Sequence, residues 1–293
     1  MRYALGIEYD GTAYSGWQAL AEAPNVQGQL ERALSLVAAH PVEVVCAGRT
    51  DAGVHALAQV VHFDTTATRP DRGWVLGANT HLPPDIAVLW ACAVPREFHA
   101  RFSATARRYR YLLFDRRTRS AVWARRTVWS AQSLDVAAMQ QAAAMLVGTH
   151  DFSSFRAAEC QARNAVRTIE SLQVKREGAL ISVEVQANAF LHHMVRNLVG
   201  TLQWVGRGER EPGWVAQVLQ ARDRRQAGVT APPHGLYFTG VRYPPQFAVP
   251  PAREWTESVA PALDDAGSAG PVAASAIMAA PAALGRLADR QEG

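Results

Sequence analysis

The 293-residue sequence is poor in cysteine, in lysine and in long apolar runs. Its three cysteines, Cys46, Cys92 and Cys160, lie far apart without metal-site spacing, so we expect free thiols. No stretch of about 18 apolar residues occurs, so no membrane span is expected. The first residues alternate as a strand does and lack the apolar core of a signal peptide, which predicts a cytoplasmic protein.

The positive charge is almost entirely arginine, since Lys175 is the single lysine among 30 basic residues. Residues 246–293 carry three arginines against six acids, so the net charge of +4 leaves +7 on the first 245 residues. The planar guanidinium fork suits phosphates and base edges. This basic body is therefore compatible with nucleic-acid binding, although many basic faces are merely solvated.

Hydrophobic periodicity predicts an α+β fold built from two similar halves. In the first half, strands are predicted at 3–9, 42–47, 59–65 and 86–94, with helices at 26–38 and 72–80. In the second half, strands are predicted at 107–114, 166–175, 179–187 and 235–243, with helices at 134–146 and 190–206. Residues 1–100 and 101–248 thus form two ferredoxin-like or RRM-like domains. A mainly antiparallel sheet is expected to join them, with helices on one side and a cleft between the halves.

The Ala/Pro-rich segment 249–293 shows little periodicity and is predicted to be a disordered tail.

The loop at 47–56 is the most informative segment for chemistry. Gly48 and Gly53 bracket a sharp turn between strands and allow a large ligand to approach the backbone. The turn presents Arg49 and Asp51 together. Spacing alone leaves two interpretations open: a surface hairpin in which the two side chains simply pair, or a reactive loop.

The exact string favours the reactive loop, because GRTDAGVHA resembles the signature of the tRNA pseudouridine synthases of the TruA type. Other segments resemble the same family in the same order, so the similarity extends from about residue 3 to about residue 245. They are YDGTAYSGWQ at 9–18, VQGQLERAL at 26–34, FHARFSATARRYRY at 98–111, HDFSSFR at 150–156 and NAFLHHMVRNLVGTL at 188–202.

The resemblance implies an isomerase that converts uridines 38, 39 and 40 of the tRNA anticodon stem-loop to pseudouridine. It implies no cofactor and no metal, and the sequence contains neither a Walker loop nor a metal-spaced cluster. The implied partners are tRNA and a second copy of the chain in a homodimer.

The resemblance also assigns roles to individual residues. Asp51 is the implied catalytic carboxylate, acting as nucleophile or as the base of a glycal route. Arg196 is implied to pair with it, and Arg49 to help open the stem and hold the extruded nucleotide. Tyr109 is implied to stack on the uracil, and Leu236 to line the uracil pocket.

The arginines of the segment RRYRY are candidates for phosphate contacts. Strand alternation sends Arg108 and Arg110 to one face, and Arg107, Tyr109 and Tyr111 to the other. The sequence does not decide which of the two faces meets RNA.

Three other interpretations concern a metal site, a binding protein and a hydrolase. His192 and His193 are adjacent and would point about 100° apart on a helix, which disfavours a metal pair. A non-catalytic tRNA-binding or tRNA-folding protein stays open as the alternative function. A glycoside hydrolase needs two facing carboxylates, whereas Asp51 is the only acid that the motifs single out.

Overall fold

The computed structural model describes residues 1–18 and 23–251. The strands are β1 (Arg2–Tyr9), β2 (Val45–Cys46), β3 (His55–Asp64), β4 (Ile86–Val94), β5 (Ala106–Asp115), β6 (Val128–Ser130), β7 (Gly148–Asp151), β8 (Val166–Glu177), β9 (Leu180–Ala187) and β10 (Leu236–Arg242). The α-helices are α1 (Val26–Ala38), α2 (Asp71–His81), α3 (Val136–Ala144), α4 (Met194–Gly206) and α5 (Trp214–Ala221). From residue 252 onward, the predicted tail lies outside the described residues.

All ten strands form one sheet in the order β4-β1-β3-β10-β5-β9-β8-β7, with β2 beside β3 and β6 beside β5. Most neighbours are antiparallel, which confirms the predicted α+β class. The last strand joins the two halves, because β10 pairs in parallel with β3 and antiparallel with β5. The described residues form one compact unit, and the predicted domain boundary at residue 100 falls between β4 and β5.

Helix α1 has the predicted bounds because its sequence supplies both a cap and an apolar face. The Asn25 side chain accepts a hydrogen bond from the Gly28 amide at 2.8 Å, which satisfies one free donor of the first turn. Val26, Leu30 and Leu34 recur at helical spacing and are fully buried. The helix therefore buries its apolar face, as the periodicity predicts.

The strand predicted at 42–47 is shorter than expected, since only Val45 and Cys46 pair with β3. Side chains of α1 take the hydrogen bonds that a longer strand would use. The Val42 amide donates to the Ser35 hydroxyl at 2.9 Å, and the Val44 amide donates to Glu31 Oε1 at 3.0 Å. The alternation of valines in this segment reflects burial under α1 rather than a strand ladder.

The periodicity misses α5 and the short strands β6 and β7, which have too few residues for a clear pattern. The three cysteines are free thiols, as predicted. None of the helices in the described part of the chain is long and apolar enough to cross a membrane.

Candidate active site

Thr50 holds the loop between β2 and β3 in place through its carbonyl and its hydroxyl. The Trp17 amide donates to the Thr50 carbonyl at 3.0 Å, and the Thr50 hydroxyl shares a hydrogen bond with the Tyr9 hydroxyl at 2.8 Å. A Cβ atom at Gly48 would lie 3.1 Å from the Phe238 ring and 3.7 Å from the Tyr109 hydroxyl. Glycine at position 48 thus lets the loop run close to Tyr109.

Asp51 is surrounded by three basic side chains from the opposite half of the fold. Arg196 donates to Asp51 Oδ2 from Nη1 at 3.0 Å. His193 Nε2 lies 3.3 Å from the same oxygen, and His192 Nε2 lies 3.4 Å from Asp51 Oδ1. The Asp51 side chain keeps 27% of its surface exposed, so a ligand can still reach it. The structure therefore brings Asp51 and Arg196 together, as the sequence predicts.

The geometry of His192 and His193 differs from the expected helical one. Helix α4 begins at Met194, and His193 takes a left-handed conformation with φ of 59°. The two rings are therefore not 100° apart on a helix but lie side by side, with centroids 4.0 Å apart, and both reach Asp51. The sequence interpretation missed them because a positive φ at a non-glycine residue has no clear sequence signal.

Arg196 is fixed by a second hydrogen bond as well as by the ion pair. Its Nε donates to the Ala231 carbonyl at 2.8 Å, while Nη1 contacts Asp51. Only 14% of its side chain is exposed. A guanidinium can hold two acceptors in fixed directions at once, so the positive charge beside Asp51 is held in place.

Tyr109 lies on β5 with its ring packed at right angles to Phe190 and Phe238, at centroid distances of 4.9 and 5.0 Å. Burial is the main cause that raises the pKa of the Tyr109 phenol, and the neighbouring Tyr9 and the charge of Asp51 raise it further. The phenol is thus a neutral group close to the Asp51 carboxylate. Leu236 opens β10, is buried and stands opposite Tyr111.

Three arginines predicted from the sequence lie outside this cluster. Arg49 is exposed and makes no hydrogen bond or ion pair within the described part of the chain, so it is not paired with Asp51. Arg110 pairs with Glu184 at 2.6 Å, and Arg108 contacts Gln186 at 3.3 Å. The register of β5 with β9 places these two on the sheet face opposite Tyr109.

His55 follows the catalytic loop directly and contacts other segments of the chain. It was not singled out from the sequence. The Gly11 amide donates to its Nδ1 at 3.1 Å, its Nε2 contacts the Arg125 carbonyl at 3.1 Å, and its ring stacks on Tyr237. Burial lowers the pKa of His55 and outweighs the opposing effect of Asp10, whose Oδ1 lies 3.0 Å from Nδ1. His55 therefore ties the loop to two other segments of the chain.

Asp51, His192 and His193 are also close enough to hold a metal ion, with ligand atoms within 4.8 Å of one another. However, Arg196 already occupies Asp51 Oδ2 with a positive charge at 3.0 Å. Electrostatic repulsion would oppose a second cation at this oxygen. The expectation of a metal-free site stays a prediction.

Comparison with known proteins gives a consistent result. A model of the family described as tRNA pseudouridine synthase matches residues 6–103 and 142–244. The tRNA pseudouridine synthase A of Coxiella burnetii is 56% identical over 249 residues, which is 85% of this chain and 95% of that protein. The one from Pseudoalteromonas atlantica is 56% identical over 250 residues, with the same coverage of 85% and 95%. The one from Pseudomonas aeruginosa is 55% identical over 250 residues, covering 85% and 88%.

The residues that match the family model include Asp51, the whole of α4, and the strands β9 and β10 on either side of β5. The similarity therefore covers the Asp51 loop and the helix that carries Arg196. The resemblance inferred from the motifs is confirmed: the chain belongs to the tRNA pseudouridine synthase family.

Proposed function

We propose that this chain converts uridines 38, 39 and 40 of the tRNA anticodon stem-loop to pseudouridine, with Asp51 as the catalytic carboxylate. Membership of the family supports the isomerisation of uridine in tRNA. The observation that carries the catalytic assignment is the position of Asp51, partly open to solvent, 3.0 Å from the Arg196 guanidinium. The tRNA positions follow from the motif resemblance.

The proposed reaction is an internal rearrangement of one nucleotide. The C1′–N1 bond of uridine breaks, the uracil turns over, and C1′ bonds to C5. The proton on C5 is lost and N1 gains one, so no net atom or electron is transferred and no cofactor is required. An ionised carboxylate beside the sugar serves this chemistry either by attacking covalently or by removing the 2′ proton.

The surroundings of Asp51 suit either route. Arg196 is its counter-ion, while His192 and His193 supply two further nitrogen atoms within 3.4 Å of the carboxylate. Burial lowers the pKa of His193, against the opposing effect of the Asp51 charge. Because His193 is then largely neutral, the charges nearest to each other at this site are those of the Asp51 carboxylate and the Arg196 guanidinium.

Tyr109 is proposed to hold the uracil. A base inside a stem must be unstacked before it enters a pocket, which costs roughly a few kcal/mol. Stacking on an aromatic side chain returns about 1–3 kcal/mol. Tyr109 is locked by two perpendicular rings beside the catalytic loop, so its own ordering costs little on binding.

The remaining assignments concern how RNA is held. Arg49 is solvent-exposed on the catalytic loop, which fits a side chain that enters the stem and holds the extruded nucleotide. Leu236 is proposed to line the uracil pocket. Arg108 and Arg110 are proposed to contact phosphates, which requires RNA to reach the face of the sheet opposite Tyr109. A homodimer and a cytoplasmic location complete the proposal.

Mapping of pseudouridine in tRNA tests this function. Unmodified tRNA is incubated with the purified protein, and every pseudouridine is located by chemical derivatisation and primer extension. We expect new pseudouridine at positions 38, 39 and 40 and at no other position. Tight tRNA binding without any new pseudouridine would instead identify a tRNA-binding or tRNA-folding protein.

A further inference from the structure

A second basic site lies in a cavity of about 450 Å³, one of whose lining residues, Ala157, donates from its amide to the carbonyl of His192 in the catalytic cluster. Four arginines line it, together with Asp223 as the only carboxylate among its lining residues. They are Arg156, Arg222, Arg224 and Arg225. This surplus of positive charge in a concave surface is unusual, because like charges repel unless an anion compensates them.

Two of these arginines lack a carboxylate partner within the described residues. The Arg156 guanidinium makes no hydrogen bond or ion pair there, although the residue is partly buried and its charge helps to lower the pKa of the Asp151 carboxyl. Arg224 donates only to neutral oxygens, those of Gly228, Ala227, Asn197 and Thr230. Burial lowers the pKa of Arg224, because a charged guanidinium is less well solvated inside the protein than in water.

The side chains of the other two arginines are largely exposed, and each lies beside a carboxylate. Arg222 lies 3.5 Å from Asp151 and exposes 68% of its side chain. Arg225 pairs with Asp223 at 2.8 Å and exposes 88%. Arg222 is therefore free to turn toward an anion in the cavity, whereas Arg225 is already neutralised by its neighbour.

Hydrogen bonds connect the residues that line the cavity to the residues around Asp51. Ala157, which follows Arg156, donates from its amide to the His192 carbonyl at 3.0 Å, and the His192 ring lies 3.4 Å from Asp51. Asn197, which follows Arg196 on α4, is fully buried. Its amide donates to the Phe155 carbonyl at 2.8 Å, and its Oδ1 accepts from Arg224 at 3.1 Å.

Building on the proposed function, we infer that this cavity binds a backbone phosphate of the tRNA strand next to the target uridine. Arg156 and Arg222 donate to the phosphate oxygens, while Arg224 adds positive charge from the floor of the cavity. A phosphate held here would fix the position of the neighbouring ribose, because the same first turn of α4 carries Arg196 and contacts both sites.

The salt dependence of tRNA binding tests this inference. Affinity for a fluorescent tRNA transcript is measured by anisotropy at several salt concentrations for the wild type, Arg156→Ala and Arg222→Ala. Each lost phosphate contact should lower the slope of log affinity against log salt by about 0.7–0.9. Between about 50 and 200 mM salt, the fold-loss of affinity in each variant should then be about one third of the fold-loss in the wild type.

Arg210→Ala is the matched control for the loss of one charge. Arg210 follows the far end of α4, which lies about 15 Å along the helix axis from Arg196, and it packs over Trp204 and Trp214. We expect it to keep the wild-type slope. Thermal unfolding of all variants checks that they fold, and Arg224→Ala is avoided because Arg224 holds four carbonyl or side-chain oxygens.

Wild-type slopes for both Arg156→Ala and Arg222→Ala would overturn the inference. Binding of inorganic phosphate that both variants lose, with an unchanged slope for tRNA, would assign the cavity to a small anion and would overturn it as well. Turnover of tRNA by the wild type is measured in parallel. Its absence would count against the proposed function, whereas normal turnover with unchanged slopes would count only against the phosphate site.

Discussion

At the scale of single residues, the site depends on how Arg196 is held as much as on its charge. Its Nε donates to the Ala231 carbonyl and its Nη1 to Asp51, at 2.8 and 3.0 Å. One planar group thus fixes the carboxylate relative to the backbone of the segment before β10. A lysine at this position would carry the charge but could not hold both acceptors in fixed directions.

We therefore predict that Arg196→Lys lowers kcat by about 10–100-fold, because small displacements in a reactive geometry have effects of this size. KM for tRNA should change by less than about threefold, since the ammonium keeps the charge. Steady-state kinetics with purified tRNA give both values. A variant with wild-type kcat would show that charge alone suffices at this position.

The pairing of Asp51 with Arg196 could be predicted because each stands in a motif with a distinctive string, whereas the role of Tyr109 stays a prediction. The roles of His192 and His193 could not be predicted, because their approach to Asp51 depends on the left-handed backbone at His193. Likewise, the cavity with Arg156 and Arg224 is assembled from segments far apart in sequence. Local periodicity carries no information about such contacts.

At the scale of elements, α4 is placed by close backbone contact as well as by the packing of its buried apolar side chains. A Cβ atom at Gly200 would lie 1.7 Å from the Val229 carbonyl oxygen, and a Cβ atom at Gly228 would lie 2.6 Å from the Gly200 carbonyl oxygen. The segment 228–231 therefore runs directly along the helix and delivers the Ala231 carbonyl to Arg196. The sequence indicates glycines in this region but not the partner that requires them.

Gly200→Ala should destabilise the protein by about 1–3 kcal/mol or more, because the backbone at Val229 must move to admit the methyl group. An alanine inside a helix would otherwise stabilise it by about 1 kcal/mol, so the sign of the change is diagnostic. Urea unfolding measures it. Gly213→Ala is the matched control, since a Cβ there meets no atom within 4 Å. A neutral or stabilising Gly200→Ala would contradict the contact.

Strand β3 carries a buried histidine that links stability to pH. His62 accepts a hydrogen bond from the Ala100 amide at 3.1 Å on Nδ1. Burial, with help from the charges of Arg2 and His99, lowers the pKa of His62 from 6.5 to about 4. The unfolded chain therefore takes up a proton at a higher pH than the folded chain does.

It follows that stability rises with pH between about 4 and 6.5 and is lost as pH falls through this window. His62→Asn keeps an acceptor but removes the titration. The variant should show a pH slope of unfolding free energy that is smaller by up to about 1.4 kcal/mol per pH unit. Urea unfolding at several pH values measures the slopes, and parallel curves for the two proteins would refute the assignment.

At the scale of the whole molecule, the position of β10 brings the site together. It lies between β3, which follows the Asp51 loop, and β5, which carries Tyr109. The sequence predicted the strand and the joining of the halves, but its place between two distant strands depends on long-range pairing. Periodicity identifies that a segment is a strand and says nothing about its neighbours.

The same architecture leaves Arg108 and Arg110 on the face opposite Tyr109. If Arg108 contacts a phosphate, we expect Arg108→Ala to weaken tRNA binding. The slope of log affinity against log salt concentration should fall by about 0.7–0.9. Anisotropy at several salt concentrations provides the measurement. An unchanged slope would remove Arg108 from the phosphate contacts.

Release of tritium from tRNA labelled at C5 of uridine tests the central claim most directly, because C5 loses its hydrogen only if C1′ bonds there. The wild type should release tritium from tRNA, whereas Asp51→Asn should release none while binding tRNA within several-fold of the wild-type affinity. Asparagine keeps the size of the side chain but removes the charge that faces Arg196. Tritium release by Asp51→Asn at the wild-type rate would contradict the account.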